Sequence, residues 1–447
     1  MKAQKCYRVI LQVYDKSNPK ESISEVCVVD STLEAPTNCL NFSMGMHNQI
    51  KLIQGVQDNV LNEKLKILTD KQNEVCPGCE GKLVKCGKQK STFHDVFTDH
   101  TVAFQRFRCK KCNYEHPCTI RQLFGTVQSG ELQKIQSELG ATHTYRESER
   151  LFATFSGGER SINNHDRIKQ VSEALGNALV KIAQEEKEII VASEAKELVI
   201  NVDGGHIKTT EDGIRSMEAM TSVVYAPDAI KPNKKNTYNH IESKNCAAYI
   251  CDDKQEQMIC STIIAALKQG LGKNTHVTAL CDGAANCWNV AEALGPLSGS
   301  ITYILDWFHV AMKIENISLP EQLKQELLRV KWFLWRGQVD EALERLNQLK
   351  ILAKEEKHID RINKLYNYIE NNRTKIVNYE ERQKSGLIFT SNLAESTVES
   401  LINRRCKGHQ HMRWSREGLN PLLQIRAALY SKGEWCNKWQ TAVLNAA

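Results

Sequence analysis

Leu198-Val-Ile-Asn-Val-Asp203-Gly204-Gly205 is the stretch whose reading decides the fold. Its apolar, β-branched run stops at a carboxylate followed by two glycines, which is how a buried strand ends at a turn. The same pattern returns in Thr275-His-Val-Thr-Ala-Leu-Cys-Asp282-Gly283-Ala284, and a third run, Ile301-Thr-Tyr-Ile-Leu-Asp306, again ends in aspartate. Between the first two, residues 217–225 and 236–250 read as two further strands, and 255–270 as a helix. The expected class is therefore α/β, with a strand meander leading into alternating helices and strands. Carboxylates at neighbouring strand ends of such a sheet converge on one edge, where ligands bind.

That edge suggests a chemistry. Two divalent cations held about 3.5–4 Å apart by carboxylates can activate an attacking oxygen and stabilise a leaving oxygen in phosphoryl transfer. A further acid is needed, and Asn392-Leu-Ala-Glu395-Ser-Thr-Val-Glu399-Ser-Leu-Ile-Asn403 offers two glutamates at i and i+4 on one helical face.

Toward the N-terminus, Cys76-Pro-Gly-Cys79 and Cys109-Lys-Lys-Cys112 form two Cys-x-x-Cys knuckles. Two intervening residues let one tight turn present both thiolates to one ion, and two such turns complete a closed tetrahedral Zn²⁺ site. Residues 82–85 and 102–108 read as the strands of a zinc ribbon between them. Cys86, Cys118, His94, His100 and His116 lie nearby without knuckle spacing and are not assigned to metal. Sixteen cysteines in a chain whose Met1–Arg8 lead straight into strand alternation, with no export-type segment, favour reduced thiols and metal ligation over disulfides. The expected location is cytoplasmic and nucleoid-associated.

Residues 7–14 and 24–29 read as an opening hairpin and 47–70 as a helix. Residues 145–155 and a segment starting at Ser161, a plausible N-cap, are separated by Ser156-Gly157-Gly158 and read as a helix-turn-helix candidate. Asn163, Asn164 and Arg167 near the start of its second helix are residue types that reach base edges or phosphates. Residues 313–384 are almost wholly helical in pattern, and their stripe of Trp332, Trp335, Leu343, Leu346 and Leu349 reads as core.

With 41% hydrophobic and 25% charged residues, and no run near the ~18 apolar residues of a membrane span, the sequence excludes a membrane-spanning helical protein. The net charge of +6 is modest, but it is concentrated: residues 76–118 carry +4 and residues 400–426 carry +5. Two basic segments on a slightly acidic body suit a phosphate-binding surface.

Taken in order, Val-Asp-Gly-Gly at 202–205, Cys-Asp-Gly-Ala at 281–284, Asp306-Trp-Phe-His309, Ser396-Thr-Val-Glu399-Ser-Leu-Ile-Asn-Arg-Arg405 and His411-Met-Arg-Trp-Ser-Arg-Glu-Gly418 resemble bacterial insertion-sequence DDE transposases related to the Mutator superfamily. The resemblance covers most of the chain. It implies a ribonuclease H-like core preceded by a zinc ribbon and a helix-turn-helix segment, with Asp203, Asp282 and Glu399 as the triad and Glu395 as the rival for its third place. Asp306 and His309 match the family's Cys-or-Asp, two residues, His signature, and His309 would shape the site or contact DNA. The interval from His309 to Glu399 is longer than in the simplest pattern and resembles the all-helical insertion of related transposases.

The implied organisation is an N-terminal hairpin and helix (1–70), a zinc ribbon (71–120), a helix-turn-helix segment (121–190), the first part of the core (191–312), the insertion (313–384) and the core's final part (385–447). The implied function is to bind the ends of a mobile element, cleave phosphodiester bonds and transfer the 3′ strand into target DNA, with catalytic Mg²⁺ or Mn²⁺ and structural Zn²⁺. Arg404, Arg405, Lys407 and Arg413 would neutralise backbone phosphates of double-stranded DNA, on which the protein would act as a homo-oligomer. The alternatives are a catalytically inactive, domesticated DNA-binding regulator and a metal-dependent nuclease without strand transfer.

Overall fold

The computed structural model describes residues 5–446 apart from 34, 36, 40–41, 71–74, 186–192, 251–253 and 409–411. The chain is α/β and divides into two compact units, residues 1–172 with 440–447, and residues 173–439.

In the first unit, β1 (Cys6–Asp15) and β2 (Asn18–Thr32) form the expected antiparallel hairpin, followed by α1 (Met46–Asp70). β3 (Leu83–His94) and β4 (Asp99–Cys109) make a second antiparallel pair that begins and ends at the cysteine knuckles. Its apolar face, with Val102, Phe104 and Phe93, packs with Leu61, Leu65 and Leu68 of α1. Three helices follow: α2 (Ile120–Phe124), α3 (Gly130–Thr142) and α4 (Tyr145–Ser156). Ser129 and Thr144 cap α3 and α4 by accepting from Leu132 N and Glu147 N. α5 (His165–Glu185) begins in the first unit and ends in the second.

Here two sequence expectations fail. Ser161 does not cap α5 but opens a 3₁₀ turn, and the cap is the Asn164 side chain, which accepts from Arg167 N at 2.8 Å. Asn163 is 2% exposed, and its side-chain oxygen takes a hydrogen bond from Gln136 Nε2 at 2.9 Å. The buried amide of Gln136 needs acceptors, and Asn163 is one of them. It therefore cannot read bases. Arg167 alone of the three is exposed.

The second unit is built on a five-stranded sheet in the order β11 (Ser300–Leu305), β10 (His276–Cys281), β5 (Glu197–Lys208), β6 (Ser216–Tyr225), β9 (Asn245–Ile250). β5, β6 and β9 form an antiparallel meander. β7 (Ile230–Pro232) and β8 (Asn239–Ile241) pair as a separate hairpin between β6 and β9, so 236–250 is not the single strand its pattern suggests. α6 (Glu256–Lys268) then leads into β10, α7 (Ala285–Glu292) and β11, with β10 parallel to both β5 and β11. The central strands are buried on both faces, which explains why 198–202 and 277–281 read as continuous apolar runs and not as alternation.

α8 (Trp307–Glu315), α9 (Glu321–Trp335), α10 (Val339–Leu352), α11 (Glu356–Asn371) and α12 (Tyr379–Lys384) make up the helical excursion, and their Leu343, Leu346 and Leu349 join the core of the sheet. Trp335 packs against Trp307, Tyr379 and Phe389. Trp332 departs from the expected core stripe: it is 54% exposed.

The chain returns through α13 (Asn392–Val398), which continues without a break into a π-helical segment, Glu399–Lys407. α14 (Arg416–Tyr430) and α15 (Glu434–Ala446) follow. Arg426 of α14 is 1% exposed and donates to the carbonyls of Leu401 (2.7 Å) and Ser400, at the start of the widened turns. A π-helix leaves carbonyls poorly placed for ordinary i→i−4 pairing, and the guanidinium fork satisfies two of them. Arg426→Met, which keeps the bulk and removes the donors, should lower the unfolding free energy by about 2–4 kcal/mol. Urea denaturation measures this, and an unchanged midpoint would mean that the π-helix does not depend on Arg426.

Candidate active site and cysteine cluster

Val202, Cys281 and Leu305 lie side by side across the three parallel strands. The next residue of each strand is an aspartate, so Asp203, Asp282 and Asp306 stand at one level; β10 and β11 end there, whereas β5 runs on through Gly204-Gly205 to Lys208, paired with β6, so the strand end expected at Asp203 is not found. The three repeats seen in the sequence thus become one row of carboxylates, although each side chain plays a different part.

Asp203 is half-buried and its Oδ1 accepts from Gly204 N at 2.8 Å. Its carboxyl O, a ring nitrogen of His309 and a carboxyl O of Glu395 all lie within 4.8 Å of one another. Burial pushes the pKa of Asp203 up; the His309 charge opposes this, and Asp282 and Asp306 add to the rise. Glu395 is raised as well, first by burial and then by Asp203. Two carboxylates that share one desolvated site repel each other, and both resist ionisation until a cation joins them.

Asp282 follows β10 and turns its Oδ1 onto Ala284 N at 2.9 Å. Its carboxyl group is not among the three clustered ligands, although its charge acts on Asp203. Its backbone carbonyl accepts from the Tyr368 hydroxyl at 2.8 Å. Asp306 is 1% exposed and plays a holding role. Its Oδ1 caps α8 through Phe308 N (3.2 Å) and accepts from Ser391 N (2.9 Å), while its Oδ2 accepts from Ser391 Oγ and lies 3.6 Å from His309 Nε2. One side chain therefore sets the start of α8, which carries His309, and the start of α13, which carries Glu395.

The glutamate brought to the cluster is Glu395, where the sequence reading places Glu399. Glu399 is exposed, accepts from Asn403 Nδ2 and opens the π-helical segment. The physical reason is the anchor: Ser391 is fixed by Asp306, and Glu395 stands one helical turn after it, whereas Glu399 stands two turns after it and is paired with Asn403. The Val-Glu-Ser context that favours Glu399 contains no information about that tether.

The two glycines after Asp203 admit close neighbours. A Cβ on Gly204 would lie 2.7 Å from Glu218 Oε1, and one on Gly205 would lie 3.1 Å from Lys407 Nζ. Gly205 shares a strand face with Asp203, so Lys407 brings a cation onto the face of the carboxylate cluster. Arg404, Lys407 and Arg413 are exposed. Arg405 is not available as a phosphate contact: it is 3% exposed, with its guanidinium 4.9 Å from the Trp414 ring centroid and in contact with the Met412 sulfur. Its alternation with Arg404 puts it on the inner side of the helix. His411 lies outside the described residues.

In the first unit, the thiols of Cys76, Cys79, Cys109 and Cys112 also lie within 4.8 Å of one another, with Cys76–Cys112 and Cys79–Cys109 Sγ separations of 3.5 Å. Backbone hydrogen bonds to the Cys109 thiol pull its pKa down to about 6, while the neighbouring thiols push that of Cys112 up to about 12. The cluster can hold a metal such as zinc. His94 and His100 are engaged elsewhere, with Asp99 and Asp58.

The chain belongs to a family described as Uncharacterised protein family (UPF0236), which matches residues 132–441 and so spans α3 to α15 with the whole carboxylate row. The cysteine cluster precedes the matched region. No curated protein matches the sequence. Among the described residues, no helix is long and apolar enough to cross a membrane.

If Asp306 is the tether described, Asp306→Ala should leave Ser391 without its acceptors and cost about 2–4 kcal/mol. Amide exchange across 391–398 should accelerate more than across β10. Uniform acceleration in both segments would argue for a general loss of packing in place of a local tether.

Proposed function

We propose that this protein is a DNA transposase of the DDE type, with a ribonuclease H-like core that cleaves phosphodiester bonds at the ends of a mobile element and transfers the 3′ strand to target DNA. The observation that carries the reading is the meeting of Asp203, His309 and Glu395 from three separate segments at the edge where Asp282 and Asp306 also emerge. The strand order, an antiparallel meander with two parallel strands added beyond its first member, is compatible with this reading. The helical excursion between Asp306 and the Glu helix agrees with it as well.

The donor set suits Mg²⁺ or Mn²⁺, since hard oxygen donors dominate and one imidazole is tolerated by Mn²⁺. Divalent cations bound there would supply activation of the attacking oxygen and stabilisation of the leaving oxygen. Asp203 and Glu395 hold the charge of this site, Asp282 lies beside it, and His309, kept by Asp306, closes its remaining side. Lys407 on the same strand face, with Arg404 and Arg413 exposed nearby in sequence, would neutralise the phosphates of duplex DNA, and Arg167 would do so in the first unit. Asn164 caps its helix with its Oδ1 and would contact a phosphate through its Nδ2 amide. The four cysteines would form a zinc ribbon, with Zn²⁺ fixing the two ends of the β3–β4 pair.

The test uses duplex DNA carrying the sequences that flank the coding region, with Mg²⁺ or Mn²⁺, scored for nicked and joined products. Asp203→Asn and Glu395→Gln should each lower both activities by orders of magnitude while retaining DNA binding, and Glu399→Gln should keep measurable activity. If Glu399→Gln is the dead variant, the third acid is Glu399; if all three still cleave, the proposal fails. Purified protein should carry one zinc per chain, lost in the Cys76→Ser, Cys109→Ser double variant, and metal loss should unfold the ribbon. Zinc at full stoichiometry in that variant would show that the cysteines are not its ligands.

A further inference from the structure

The carboxylate row does not account for a cavity of about 290 Å³ between the end of α8 and α11, lined by Lys313, Asn316, Ser318, Arg361, Lys364 and Tyr368. Its charge is one-sided. Lys364 is paired with Asp360 at 2.7 Å, but Lys313 and Arg361 have no carboxylate partner among the described residues. Lys313 Nζ sits 4.5 Å from the centre of the Tyr368 ring, and Arg361 donates to the Ser318 carbonyl. Leu365 and Ile317 give the cleft an apolar floor. Two cations left without carboxylates beside an aromatic ring are suited to an anionic group attached to something flat or apolar.

The cleft also adjoins the site. Tyr368, which lines it, donates to the Asp282 carbonyl at 2.8 Å, and Asn372 at the end of the same helix reaches the Gly283 carbonyl at 3.4 Å. Gly283 has φ of +96°, and a Cβ there would lie 2.7 Å from the Tyr368 ring, so the turn after Asp282 is moulded against this helix. Whatever occupies the cleft therefore lies one side chain away from the second aspartate of the row.

We propose that this cleft holds one nucleotide of a single DNA strand, its backbone phosphate between Lys313 and Arg361, next to the bond presented to the carboxylate cluster. This deepens the proposed function and rests on it. At roughly 300 Å³ the cavity is at the small end of ligand sites and takes a single nucleotide unit, not a duplex. An aromatic ring with flanking cations is also how single strands are held without sequence preference. The helical excursion thereby carries a strand-holding surface to the aspartate edge.

The test is fluorescence anisotropy of labelled twelve-residue oligothymidylate on the full-length protein across a salt series. Lys313→Gln combined with Arg361→Gln should weaken binding at least fivefold and flatten the salt slope by about 0.7, the value for one lost phosphate contact on a single strand. Lys313→Gln alone removes no backbone hydrogen bond and should give about half that change in slope, which guards against a folding defect from losing the Arg361–Ser318 contact. Thymidine 5′-monophosphate should compete only weakly. Unchanged affinity and slope in both variants would overturn the proposal, as would a mononucleotide that competes as well as the oligomer. Mn²⁺ binding measured by calorimetry should be unaffected in the cleft variants and lost in Asp203→Asn. If Mn²⁺ binding fails in the wild type, the reading of the carboxylate site falls; if it is intact while the cleft variants bind DNA normally, only the cleft is refuted.

Discussion

The second unit turns on one buried carboxylate. Asp306 ends a strand, begins a helix and receives both polar groups of Ser391, a residue 85 positions away. A carboxylate with almost no exposure is costly unless its oxygens are taken up by donors, and here the donors come from the two segments that must meet if the site is to exist. The same group lies beside His309. The folding requirement and the site requirement are thus met by a single set of hydrogen bonds.

The long excursion between Asp306 and Ser391 raises the entropy of closing that loop only slowly with length, and aromatic packing near its two ends offsets the cost. Trp307 lies immediately after Asp306, Phe389 immediately before the return, and Trp335 and Tyr379 pack between them with centroid separations of 4.8–6.3 Å. The Tyr379 hydroxyl further donates to the Leu305 carbonyl at 2.7 Å, at the end of β11. Insertion of helices at this point leaves the geometry of the sheet edge intact because the entrance and exit of the excursion are held together by their own contacts.

What the sequence reveals follows from where the information is local. The strand-end aspartates Asp282 and Asp306 are legible because a buried strand followed by a turn writes itself into a few consecutive residues, and the cysteine knuckles because two ligands share one turn; Asp203 misleads, because Gly204-Gly205 look like a turn but continue β5 paired with β6. The separate β7–β8 hairpin is not legible, since 236–250 has neither glycine nor proline where the strand breaks. Asn163 misleads because its partner, Gln136, is 27 positions away and polar. Arg405 looks like its neighbour Arg404, and only the position of Trp414 shows that one faces inward. The choice between Glu395 and Glu399 depends on the Asp306–Ser391 hydrogen bonds. A motif centred on the glutamates contains only half of that interaction.

The π-helical segment joins these parts in one further way. It starts at Glu399, one turn after Glu395, and ends at Lys407, whose ammonium lies against Gly205 on the face of Asp203. Widening the helix changes the angular step per residue, so that side chains eight apart need not repeat the spacing of a regular α-helix. The Glu395 and Lys407 side chains, twelve residues apart, both reach the same stretch of β5, at Asp203 and Gly205. Arg426, buried beneath Ser400 and Leu401, pairs with the carbonyls that such a turn exposes. A negative cluster that needs a cation and a positive side chain that suits a phosphate then lie two residues apart along β5, a separation of about 6.6 Å at 3.3 Å per residue. Glycine at 205 favours this arrangement, since a Cβ there would meet the Lys407 ammonium at 3.1 Å and press it away from the strand by a few tenths of an ångström.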